Sequence, residues 1–180
     1  MTGNSGQTFS YCTGAPVVLG GVITKASEMP VAAFSEKFLF GPLGIEDYYW
    51  ELKPDGNADT GGHMFMRPRD MAKFGLLFLN NGNWKGEQIV TSDWVSESVK
   101  PTDESPAGIV ESEGYGYLWW TKNWVISGDL VPSYYADGNG GQFIVVFPTL
   151  NAVVVFTGGK YNDDSVAFGV LRGRILPAFR

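Results

Sequence analysis

The stretch Gln142-Phe143-Ile144-Val145-Val146-Phe147-Pro148-Thr149-Leu150-Asn151-Ala152-Val153-Val154-Val155-Phe156-Thr157 decides the fold class. Two short runs of aromatic and β-branched residues flank a segment that opens on proline and closes on asparagine. Such runs suit a pleated, packed surface, and Pro and Asn form turns. The segment therefore predicts two antiparallel strands joined by a compact hairpin turn. A third run of the same character, Tyr115 to Thr121, lies upstream. Downstream, Asp163 and Asp164 stand where an N-cap and first turn would, ahead of Val166, Val170, Leu171 and Ile175. That pattern predicts a closing helix.

Upstream of these strands the period is helical. Val17, Val18, Leu19, Val22 and Ile23 predict a buried helix from Pro16 to about Ala26. Gly20 and Gly21 weaken it by about 1 kcal/mol each relative to alanine, which implies close packing against a neighbour. A second helix is expected from Pro30, at its first position, to Phe40, with Gly41-Pro42 stopping it. Residues 45–62 read as an irregular crossing loop around Pro54-Asp55-Gly56. Pro68 opens a helix carrying Met71, Phe74, Leu77 and Phe78, ended by Asn80-Asn81-Gly82. Thr91 is the expected N-cap of a short helix with Trp94, Val95 and Val99. Residues 101–114 are polar and acidic and read as an exposed loop, and residues 1–9 as a flexible lead-in. Helices, then an antiparallel meander, then one helix make an α+β arrangement. The expected organisation is one domain over 1–180, mainly helical over 10–100, with strands and a closing helix over 115–180.

Composition narrows the function classes. The 180 residues are 44% hydrophobic and 18% charged, the profile of an ordinary globular protein. A chain of this size buries roughly 70% of its unfolded surface, enough for a core without staples. A net charge of −6 with no Lys/Arg cluster argues against nucleic acid as partner. The single cysteine, Cys12, excludes an internal disulfide, and one cysteine with one histidine is too few for a zinc site. No cofactor or metal is implied. No apolar stretch reaches the ~18 residues of a spanning helix, and no export signal is visible. Compartment stays open, bacterial cytoplasm or, given an upstream signal, periplasm. Aromatics make up 14% of the chain, six of them Trp, which suggests thick packing or an aromatic-lined cleft.

Six blocks in order resemble the β-lactamase-related serine hydrolases, the group of class C β-lactamases, D-Ala-D-Ala peptidases and esterase relatives. Phe9-Ser10-Tyr11-Cys12-Thr13, with Leu19-Gly20 after it, matches the family's Tyr-x-Asn motif and following helix. Phe40-Gly41-Pro42-Leu43-Gly44-Ile45 is similar to its Phe-x-Pro-Leu-Gly-Met stretch. Gly61-Gly62 through Arg69-Asp70-Met71-Ala72-Lys73-Phe74-Gly75 is similar to its Gly-Gly … Arg-Asp-x-Ala-Arg-Phe-Gly element. Trp84-Lys85-Gly86, Tyr115-Gly116-Tyr117-Leu118-Trp119-Trp120 and Ala136-Asp137-Gly138-Asn139-Gly140-Gly141-Gln142 complete the order. The resemblance implies a partial β-lactamase/transpeptidase-like fold: a helical region, an antiparallel sheet and a C-terminal helix.

It also implies a chemistry and exposes a gap. The family acylates a serine in a Ser-x-x-Lys helix turn. No serine here has lysine three residues on: Ser10 leads to Thr13, Ser35 to Phe38, Ser92 to Val95, Ser98 to Pro101. By the resemblance, Tyr11 is the catalytic phenol of the base pair. Such a phenol works near neutral pH only beside a cation, here the missing lysine. Thr13 replaces the substrate-holding Asn, or simply caps the helix after it. Asp137 to Gly141 matches a strand whose first residue supplies a cation; Ala136 supplies none. Gly138, Gly140 and Gly141 allow close approach of a ligand, and the Asn139 N–H is the candidate oxyanion donor. Trp119 or Trp120 would line the cleft, the other ring facing the core.

His63 reads as structural or cleft-lining, since no Gly-x-Ser-x-Gly elbow accompanies it. Arg69-Asp70 would brace the central helix. The favoured expectation is the C-terminal part of a serine hydrolase acting on an amide, ester or β-lactam, inactive alone. Its substrate would be a small molecule or peptide, and its partner a complementary N-terminal fragment or a second copy. The alternatives are a non-catalytic ligand-binding or interaction module, or an enzyme using Ser10, Cys12 or Thr13 as nucleophile.

Overall fold

The computed structural model describes residues 9–104 and 112–179. The chain divides into two compact units, Met1–Asp70 and Met71–Arg180. The expected lead-in at 1–8 and most of the acidic stretch, 105–111, lie outside the described residues.

In the first unit, α1 (Gly14–Ser27) ends at Glu28, whose φ of 56° is left-handed. The next helix, α2 (Val31–Leu43), follows at a 76° bend. The α1 helix forms where its periodicity places it, but it is not a buried helix. Val18, Leu19 and Val22 are exposed at 67%, 48% and 55%, and only Gly20 is buried. Gly20 answers the packing expectation, because a Cβ there would come within 2.4 Å of Thr60 Oγ1.

The pair Gly41-Pro42 does not stop α2. A π turn over Glu36–Phe40 lets the Gly41 N–H donate to the Glu36 carbonyl, and the helix carries Pro42 before Gly44 (φ 63°) caps it. The wider turn shifts the hydrogen-bond ladder at the point where proline has no N–H to give. Nor is 45–62 wholly irregular. It contains β1 (Tyr48–Trp50), which pairs antiparallel with β2 (Met64–Met66). Phe40, Leu43 and Ile45 form the buried centre of this unit, with Phe40 4.8 Å from the Tyr48 ring. Among the described residues no single helix is long and apolar enough to cross a membrane.

The second unit is built on a six-stranded antiparallel meander, β5 (Asp103–Glu104), β6 (Gly114–Tyr115), β7 (Trp120–Ile126), β8 (Asp129–Gly138), β9 (Gln142–Phe147) and β10 (Ala152–Phe156). A small pair, β3 (Asn83–Trp84) with β4 (Glu87–Gln88), stands apart from it. The hairpin read from the sequence is present: Ala152 pairs with Phe147 and Phe156 with Phe143, around Pro148–Leu150 and a left-handed Asn151.

Two expectations are corrected here. Tyr115 to Thr121 is not one strand: the chain turns at 116–119, with Leu118 at φ 65°, so Tyr115 ends β6 and Trp120 begins β7. A Cβ on Gly116 would lie 2.3 Å from the Ser98 carbonyl, which fixes that turn against the backbone. The longest strand, β8, was not foreseen, because Pro132 lies inside it. Proline is tolerated there because β9 pairs only with Tyr134–Gly138, leaving Pro132 beside β7 alone. The stretch 101–114 likewise contributes short strands rather than loop only.

Side chains alternate between the two faces of this sheet. One face carries Trp119, Tyr134 and Val146 under Phe78 and Leu79 of α3 (Pro68–Leu79) and Val99, next to α4 (Ser92–Ser98). On the other, Phe168 of α5 (Ser165–Val170) packs on Trp124, Tyr135 and Phe143, with ring centroids 5.7, 5.5 and 4.8 Å away. The buried Trp124 indole donates to Ser133 Oγ at 2.8 Å.

Helix ends follow the sequence in part. The Thr91 hydroxyl accepts from Trp94 N at 3.3 Å, as an N-cap should. Asp163 accepts from Ser165 N at 2.9 Å and pairs with Lys160. Both keep its carboxyl low, at about 2. Thr13 sits before α1 but makes no side-chain cap hydrogen bond.

Candidate functional site

The second unit's candidate site is a glycine turn at the mouth of the central hairpin. Gly138 ends β8 and pairs with Gln142, the first residue of β9. Between them Gly140 and Gly141 take φ of 110° and 87°, which side chains with a Cβ seldom adopt. The neighbouring loop approaches as backbone: a Cβ on Gly158 would lie 2.7 Å from the Gly140 carbonyl.

Side chains brace this turn. Asn139 Oδ1 accepts from the Asn162 N–H at 2.8 Å, and Asn139 Nδ2 donates to Asn162 Oδ1 at 3.2 Å. Gln142 Nε2 donates to the Gly158 carbonyl at 2.8 Å. A bridge between Gly140 and Lys160 closes the arrangement. The turn is thus held from both sides by amide groups whose donors and acceptors are matched. Sequence reasoning missed Asn162, Gly158 and the tie from Gln142, since their partners lie too far along the chain to be seen by spacing.

Asp137 was quoted in the motif but given no role. Its carboxyl is half-buried beside Asp164, and burial first, then the Asp164 charge, pushes its pKa up to about 7. In β8 it falls in the same alternation as Tyr135, and it pairs with Phe143. Ala136 belongs to the opposite face, with Trp119 and Tyr134. Trp119 is itself only 8% exposed and packs 4.6 Å from Phe78, and Trp120 is 4% exposed against Tyr115. Neither ring lines an open cleft in this unit; both are core.

In the first unit, Tyr11 is 53% exposed, and Cys12 and Thr13 are exposed beside it, just before α1. The lone histidine has a partner that the sequence reading did not assign. His63 Nδ1 lies 2.9 Å from Asp59 Oδ2, and Asp59 Oδ1 accepts from the Gly61 N–H at 3.0 Å. The Gly61 N–H and the His63 ring hold the Asp59 carboxyl below its ordinary range. The spacing Asp59-x-x-x-His63 was the available signal. An imidazole oriented by a carboxylate is two-thirds of a nucleophile-activating triad. Among the described residues no serine hydroxyl or cysteine thiol hydrogen-bonds to its other nitrogen, so the pair braces the loop before β2. Among the described residues no group of three or more His, Cys, Asp or Glu is placed to hold a metal ion.

The fold has many relatives among solved structures. One is a protein from Bacillus anthracis provisionally named a 6-aminohexanoate-dimer hydrolase, at TM-score 0.79 and 21% identity, covering 99% of this chain and 45% of that one. A second is a D-amino acid amidase from Ochrobactrum anthropi SV3, at TM-score 0.66 and 17% identity, covering 96% of this chain and 56% of that one. A third is an octameric penicillin-binding protein homologue from Pyrococcus abyssi, at TM-score 0.68 and 20% identity, covering 93% of this chain and 43% of that one. The chain thus spans about half the length of these proteins. Identities this low establish the shared fold and nothing finer. No curated protein matches the chain. The sequence itself matches the Beta-lactamase family from residue 2 to residue 168. With that match covering nearly the whole chain, and with the helical region, meander and closing helix in place, the protein belongs to the Beta-lactamase family.

Proposed function

We propose that this chain is the C-terminal part of a β-lactamase-like serine hydrolase, carrying in its first unit the counterpart of the family's catalytic phenol, Tyr11, and in its second the counterpart of the oxyanion turn, Gly138–Gly141, but not the nucleophile. One observation carries the reading: a member of this family has no serine followed at the third position by lysine. In acyl transfer a serine oxygen attacks an amide, ester or β-lactam carbonyl, and negative charge develops on the carbonyl oxygen. The Asn139 N–H, in a turn braced by Asn162 and Gly158, is suited to meet that charge. Gly138, Gly140 and Gly141 would let the acyl group approach closely. Tyr11 would take the serine proton only when a lysine stands beside it. Acylation therefore needs a segment that brings Ser-x-x-Lys, which neither this sequence nor a second copy of it contains. The outer edge of β10 supports association, since among the described residues no strand pairs with it.

The test is intact mass after exposure of the folded chain to a fluorophosphonate serine probe. No adduct is expected from the chain alone. A stoichiometric adduct mapped to one residue would overturn the proposal. The pre-formed, fully braced turn also favours a second reading, a module that holds a peptide or amide without cleaving it. Saturable binding of a β-lactam without turnover would select that reading.

A further inference from the structure

The first unit contains a cavity of about 250 Å³ between one face of α1, the start of α2 and the loop that follows β1. Val17, Val31 and Ala58 give it an apolar wall. Lys25 and Lys53 stand on its polar side, with Asp55 the only carboxylate in the lining. Asp55 lies 3.5 Å from the Lys53 amine and accepts from the Asn57 N–H. That carboxylate is committed, and the lining keeps one positive charge in excess. Among the described residues Lys25 forms no ion pair.

Gly21 adds a second observation. Its neighbour Gly20 is explained by Thr60, which a side chain at position 20 would strike. A Cβ on Gly21 would meet nothing within 4 Å. A glycine inside a helix is unfavourable relative to alanine, and here no packing within the chain requires it. Gly21 opens onto the cavity, where its bareness leaves room for something the chain does not supply.

We infer that this cavity is a binding site for a small monoanionic amphiphile, with the carboxylate held by Lys25 and Lys53 and the apolar body laid over Gly21 between Val17 and Val31. The cavity suits a small ligand, and its layout is the usual one of an apolar lining with a few polar groups. The inference is independent of the acyl-transfer reading, since it uses neither Tyr11 nor the glycine turn.

The test uses sodium octanoate below its micellar range, followed by amide chemical shifts of the ¹⁵N-labelled chain. Saturable shifts at Val17, Gly21, Val31 and Ala58 are expected. Octanamide, which has the same tail without the charge, should bind at least tenfold more weakly. Lys25→Ala should weaken octanoate at least fivefold. Gly21→Leu fills the space with a better helix former, so it should keep the spectrum of a folded chain while abolishing binding. Absence of saturable shifts, equal binding of octanamide, or unchanged binding by Gly21→Leu would each overturn the inference.

Discussion

Replacing Asp137 with asparagine keeps the shape of the side chain and removes its charge. In the folded chain its pKa stands at about 7, raised by burial and by Asp164. In the unfolded chain an aspartate titrates near ~3.9. Between those values the folded state holds a proton that the unfolded state has released. Stability must then fall as pH rises through the window from ~4 to about 7 and level off above it. A gap of about three pH units corresponds to about 4 kcal/mol at full weight. Part of the carboxylate still touches water, and screening reduces this to about 2 kcal/mol. Urea denaturation of the chain and of Asp137→Asn at about pH 3.5 and about pH 8, points either side of the window, reads the effect directly. The variant should be the more stable by about 2 kcal/mol at the higher pH and nearly equal at the lower one. In a thermal scan that is a rise of about 4–8 °C at the higher pH. If the two proteins lose stability in parallel across the window, the carboxyl is not strained by its surroundings and the reasoning fails.

Other substitutions test the backbone geometry. Gly82 follows α3 at φ 81°, and a Cβ there would lie 1.8 Å from the Val90 carbonyl oxygen. Gly82→Ala should therefore lower stability by more than about 2 kcal/mol, read by urea denaturation, because backbone cannot rotate away as a side chain can. Two helix glycines should respond with opposite sign. Gly75→Ala places a Cβ 2.5 Å from Val153 Cγ1 and 3.0 Å from Ile144 Cγ2, so overpacking outweighs the helix gain by about 1 kcal/mol. Gly21→Ala meets nothing and should raise Tm, corresponding to about 0.5–1 kcal/mol.

Local chemistry made much of this fold legible. The β9–β10 hairpin was readable because its strands are β-branched and its turn is Pro148 to Asn151. The end of α3 was readable because Asn81 and Gly82 both take positive φ. The strand β8 was hidden by Pro132, whose tolerance depends on how far β9 extends, a property of the sheet and not of the segment. A usable signal lay beside it: Ser127 and Gly128, at φ 54° and 95°, form the two-residue turn that hairpins favour. The exposure of Val18 and Val22 was equally invisible, since periodicity reports an apolar face and not what covers it. At the site, the glycines of 138–141 were found by motif. Their bracing by Asn162 and Gly158 crosses 16 to 23 residues of chain, beyond any local pattern.

The meander has a kinetic consequence. Among the described residues every strand of the large sheet is bonded only to its neighbours in sequence, from β5 through to β10. No crossover must be closed before pairing can begin, so each step adds one hairpin at the loop-closure entropy of a short connection. Tight turns join the three longest strands, Ser127-Gly128 between β7 and β8 and Asn139 to Gly141 between β8 and β9. Low contact order of this kind favours fast folding for a β-rich unit. The glycine turn would then form early, as part of the nucleating hairpins, with its geometry set before the closing helix docks.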